Sequence, residues 1–103
     1  MLWKQTNGWS LNDFGISLAI EDDYELGVEE KAPFVSFSCS AASKSIVLGL
    51  DDADCMIVAN IGGTNAVTVK AIKGDTGTSV AAGKVAIVIG STTANASKIY
   101  VLN

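Results

Sequence analysis

Cys55-Met-Ile-Val-Ala-Asn-Ile-Gly-Gly-Thr-Asn-Ala-Val-Thr-Val-Lys70, then Gly74-Asp-Thr-Gly77, then Val80-Ala-Ala-Gly-Lys-Val-Ala-Ile-Val-Ile-Gly90 is the stretch that decides the fold. Short β-branched runs bounded by Gly, Asn and Asp clusters are the signature of strands joined by tight turns. The block therefore reads as three strands, with Gly62-Gly-Thr-Asn65 as a hairpin turn that supplies residues tolerant of positive φ. Its first and last strands are apolar on both faces. A strand of that kind has to be covered twice, either inside a two-layer fold or between subunits.

Period-two patterning extends the reading in both directions. Upstream, Phe34-Val-Ser-Phe-Ser-Cys-Ser-Ala41 sets Val35, Phe37, Cys39 and Ala41 on one face against Ser36, Ser38 and Ser40 on the other. Pro33 then stands at the strand start, where its missing N–H does least harm. Lys44-Ser-Ile-Val-Leu-Gly-Leu50 follows as a strand with Ile46, Leu48 and Leu50 inward, and Val67, Val69 and Ala71 are the inward set of the strand around them. Downstream, the polar loop Ser91–Ser97 leads to a closing strand, Lys98-Ile-Tyr-Val-Leu102. Turn signals about every ten residues and the lack of any amphipathic helix pattern predict an all-β fold, a small antiparallel β-sandwich or barrel with an extended N-terminal arm. The arm is residues 1–20, ending in a short strand through Ile16, Leu18 and Ile20. Residues 21–103 form a single β-domain.

Composition narrows the function. The chain has 103 residues, 49% of them apolar and only 17% charged, with a net charge of −4. A chain of this length buries roughly two thirds of its unfolded surface, enough for a core. All seven cations are Lys, and there is no Arg or His. Phosphate and base recognition relies on basic patches rich in Arg, so nucleic-acid binding is not expected. Without His, the commonest general base and metal ligand is also missing. Cys39 and Cys55 cannot make a zinc site alone, and both are expected to be reduced, buried thiols, since no export signal is read at the start of the chain. No apolar run approaches the length that crosses a bilayer, so no membrane partner is expected.

Three polar clusters are candidates for chemistry. Residues 21–31 carry six of the eleven acidic side chains; without the D-x-D-x-D-G frame that arranges oxygens around calcium, they read as a solvated loop. Asp51, Asp52 and Asp54 read as a turn whose carboxylates bond its own backbone. An enzyme would have only Asp51, Asp54 and Asp75 near the core. No catalytic residue, cofactor or metal ligand is therefore assigned, and the chain is read as a non-enzyme. The candidate interface residues are Trp3, Trp9 and Phe14 of the arm, because large aromatics anchor protein contacts.

The elements Val58-Ala-Asn60, Gly62-Gly-Thr-Asn65, Val67-Thr-Val-Lys-Ala71, Gly74-Asp75, Val80-Ala-Ala-Gly-Lys84 and Ile99-Tyr-Val-Leu102 together resemble small virion structural proteins of tailed phages and prophages. The resemblance covers residues 51–102. It implies a capsid decoration or head-fibre protein, made in the bacterial cytoplasm and carried on the virion. Such a protein acts by self-association as a homo-oligomer and by contact with phage capsid or other virion proteins. The alternative is a carbohydrate-binding or adhesion β-module using Trp3, Trp9, Tyr24 and Tyr100 as stacking surfaces.

Overall fold

A computed structural model describes residues 15–102. They form nine strands and one short 3₁₀ turn: β1 (Gly15–Ile20), β2 (Tyr24–Glu25), the turn Val28–Glu30, β3 (Phe34–Cys39), β4 (Lys44–Val47), β5 (Cys55–Asn60), β6 (Val67–Lys70), β7 (Thr78–Val80), β8 (Val85–Ile89) and β9 (Lys98–Leu102). The all-β expectation holds. The short strand expected at the end of the arm is β1, a full edge strand.

Two sheets divide these strands. The larger has the order β1-β3-β5-β8-β9 and the smaller β2-β4-β6-β7. The first six strands alternate between them and so wind as three successive coils, each placing one strand in either sheet. Gly15 lies opposite Phe34 and Phe34 opposite Ile57, while Tyr24 lies opposite Ile46 and Ile46 opposite Val69. A strand that returns after a whole coil runs the same way as its predecessor, and these four pairings are parallel. Only β5–β8, β6–β7 and β8–β9 are antiparallel. The antiparallel expectation is corrected accordingly to mixed sheets.

The turn at Gly62–Asn65 is corrected with it. It joins strands of different sheets instead of closing a hairpin. The Ile61 N–H donates to the Phe37 carbonyl (2.8 Å), drawing the chain onto β3 as it leaves β5. Gly62 is then pressed on Ser38, where a Cβ would collide with the serine side chain.

Inward residues from both sheets make one apolar cluster. Val35, Phe37, Ile46, Leu48, Val58, Val67, Val69, Val80 and Val88 are fully buried in it, matching the parity read from period two. The backbone continues the ladder past β4, since Leu48 N–H and Leu50 N–H donate to the carbonyls of Lys70 (2.9 Å) and Ala71 (3.0 Å). That keeps Leu48 and Leu50 in the core although regular strand ends at Val47. Asn60 is the most deeply buried polar residue of those described; its amide donates to the carbonyls of Asn65 (2.9 Å) and Val80 (3.0 Å), tying β5 to the smaller sheet.

Candidate interaction surface

Side-chain alternation sorts the larger sheet into two faces. Ile16, Leu18, Ile20, Val35, Phe37, Cys39, Met56, Val58, Ala86, Val88 and Ile99 belong to the core side. The other parity, which the strand registers bring side by side, looks outward: Phe34, Ile57, Ile87 and Tyr100 form one row across four strands, with Cys55, Ile89 and Lys98 in the next. Cys55, Ile57, Ile89, Tyr100 and Leu102 are exposed there, and Ile61 continues the same parity just past β5. Tyr100 keeps 55% of its surface in water and Ile61 61%, values unusual for large apolar residues grouped on one sheet face.

The doubly apolar strands account for this surface. β5 and β8 occupy adjacent places in the sheet, and the core covers one face of each. Their second apolar face is what makes the outward surface. Cys55 lies on it, so the expectation of two buried thiols is corrected: Cys39 is buried and Cys55 exposed. Strand alternation is the cause, because Cys55 shares the parity of Ile57.

The acidic clusters are structural ties. The Asp23 carboxylate accepts from the Ser45 N–H at 2.9 Å, and Asp22 pairs with the Lys44 ammonium at 3.0 Å, fastening the β1–β2 connection to β4. Hydrogen bonding to the Asp23 N–H and to Lys44 holds the Asp22 carboxyl below its ordinary value, and the same bond raises Lys44. Glu30 closes the 3₁₀ turn by accepting from the Gly27 N–H at 2.8 Å while it receives the Tyr24 hydroxyl at 2.5 Å. That phenol bond is the main reason Glu30 is lowered and Tyr24 raised.

In the next turn, Asp54 accepts from the Asp51 N–H (3.0 Å), as read from the sequence, whereas Asp52 departs from that reading and receives both the N–H (2.7 Å) and the hydroxyl (3.1 Å) of Thr92 in a remote loop. Asp75 is buried in another loop, accepting from the N–H groups of Ile72 (3.3 Å) and Asn95 (2.6 Å). The Asp54 and Asp75 carboxylates thus serve separate backbone partners, and Asp51 joins the first through its own N–H. Among the described residues no three Asp, Glu or Cys side chains converge as a metal site would require.

The described residues line a shallow cleft of about 170 Å³ beside Asp75, Thr76 and Asn95 and another of about 370 Å³ between Tyr24, Ser45 and Lys70. Asp75 and Asn95 in the first, and Asp23, Tyr24 and Ser45 in the second, are engaged in the ties above. Trp3, Trp9 and Phe14, the interface residues picked from the sequence, lie outside the described residues. The outward row of β5, β8 and β9 was legible as doubly apolar strands; its assembly into one surface needed the strand order. Comparison of the chain with family models, curated proteins and solved structures finds no match.

Proposed function

We propose that the chain is a non-enzymatic structural protein of a tailed-phage or prophage particle, a capsid decoration or head-fibre protein that works through protein–protein contacts and self-association. The observation that carries this reading is the apolar outward face of the larger sheet, where Ile57, Ile89, Tyr100 and Leu102 are exposed. Surfaces of that size and character on a small domain mark sites of association. The resemblance of residues 51–102 to small virion proteins supplies the biological setting. In this reading the two sheets act as the layers of a sandwich, one layer facing its own core and the other face of the larger sheet facing a neighbour.

The glycan-binding alternative draws on fewer groups. Tyr24 is half-buried with its hydroxyl committed to Glu30, which leaves Tyr100 as the one freely exposed tyrosine of the described residues. A stacking platform usually joins several rings.

The test is co-sedimentation of the purified chain with heads of the phage or prophage whose genome encodes it, stripped of their accessory proteins. Saturable binding at a fixed number of copies per head is the expected result. Heads that sediment without the chain at every concentration would overturn the reading.

A further inference from the structure

We infer that the occupant of the outward face of the larger sheet is a second copy of this chain, packed face to face through Ile57, Ile87, Ile89, Tyr100 and Leu102. This deepens the structural-protein reading and rests on it. The first argument is charge. The chain carries a net charge of −4, so two copies repel wherever their carboxylates approach. Every described residue of outward parity on the five strands is uncharged except Lys98, at one corner of the face. Among the described residues the acidic groups sit in the β1–β2 connection (Glu21, Asp22, Asp23), on β2 (Glu25), in the 3₁₀ turn (Glu29, Glu30) and in the turns at 51–54 and 72–77. Two copies meeting on the strands of this face bring no strand carboxylate into the contact, and the nearest acidic groups, Glu21 and Asp54, stand at its edges. An acidic or basic partner would find nothing complementary there.

The second argument is size. Five strands span about 19 Å across and their length is about 17 Å, from ordinary strand spacing and rise. A pair of such faces meets over roughly 650 Å² in projection, more once side-chain relief is counted, which lies at the lower end of specific association. Sheets pack in this manner at about 10 Å separation with interdigitating aliphatic side chains, and the outward row of Phe34, Ile57, Ile87 and Tyr100 supplies such side chains. A twofold contact uses the same patch on both copies, which an uncharged, self-similar face allows.

The experiment combines solution mass with a probe already in the protein. Cys55 lies on the face and is exposed, whereas Cys39 is buried, so maleimide labelling of the full chain reads the cover directly. The expected result is an oligomer whose Cys55 labelling slows as protein concentration rises. Ile57→Lys and Ile89→Lys, both at exposed positions, should each reduce the mass to the 10.6 kDa of one chain with the far-ultraviolet spectrum unchanged. An oligomer that persists in both variants, with Cys55 labelled at a concentration-independent rate, overturns the inference and leaves self-association standing through another surface. A monomeric full chain that dimerises once residues 1–14 are deleted also overturns it, making those residues the cover. A chain monomeric in both forms overturns it together with the self-association reading.

Discussion

Asp75 and Asn95 hold each other's loops. The buried Asp75 carboxylate accepts from the Asn95 N–H at 2.6 Å, and the Asn95 side-chain oxygen accepts from the Thr76 N–H at 2.7 Å. One loop leads from β6 to β7 in the smaller sheet, the other from β8 to β9 in the larger. This exchange therefore ties the two sheets to each other just ahead of β9.

Removing that tie has a defined cost. Asp75→Ala leaves the part-buried N–H groups of Ile72 and Asn95 without their acceptor, and because water reaches this loop the cost should be about 1 kcal/mol, the low end for a lost donor. The predicted outcome is a lower urea midpoint with an unchanged slope. Hydrogen exchange should rise in residues 91–97 as well as 72–77, since the carboxylate serves both loops.

Asn60 makes a sharper comparison. Its amide donates to two carbonyls across the core, while its side-chain oxygen has no partner. Asn60→Ala gives up the two donors and should cost about 1–3 kcal/mol. Asn60→Asp should cost more, because a carboxylate would face two carbonyl oxygens in a site that is 1% exposed. Equal denaturation midpoints for the two variants would contradict the assigned donor role.

Gly90 is held by close approach. It ends β8, and a Cβ there would stand 2.5 Å from the Leu50 Cβ and 2.7 Å from the Asp51 carbonyl oxygen. Gly90→Ala should displace the 51–54 turn and lower thermal stability clearly. Gly63→Ala, where no atom lies within 4 Å, should cost only the strain of its positive φ of 48°. Melting temperatures of the two variants check the ranking.

The pH dependence follows from three lowered carboxyls. Glu30, Asp22 and Asp52 titrate below their ordinary values of 4.5 and 3.8 because Tyr24, the Asp23 N–H and the Thr92 N–H, respectively, bond the charged forms. The unfolded chain binds those protons more tightly, so their stabilisation is complete above the ordinary values and is lost as pH falls through the folded ones. Tyr24 is raised above 10.0, so its contribution is present below that value and lost as pH climbs through the folded one. Stability measured by urea titration should fall on the acid side of about pH 4.5. Glu30→Gln should weaken that acid loss and remove the alkaline one, since both arise from the same bond.

Much of this fold was legible in the sequence at the level of single strands. The alternation of Val35, Phe37 and Cys39, or of Val67 and Val69, follows from one physical rule, that successive side chains leave opposite faces. Which strands pair was not legible. Gly62-Gly-Thr-Asn65 has the chemistry of a hairpin turn, yet Ile61 bonds Phe37 and Gly62 packs on Ser38, so the chain is steered by β3 into the other sheet. Local turn chemistry is blind to that long-range contact. The same applies to Cys55, whose burial could not be judged until the neighbours of β5 were known, and to Asp75, whose partner Asn95 is remote in sequence.

The central claim is that this chain works by associating through an uncovered apolar face. Its solution mass measured by light scattering across a wide concentration range tests that most directly. The account predicts a stable mass at least twice the 10.6 kDa of one chain. A single-chain mass at every concentration would contradict it.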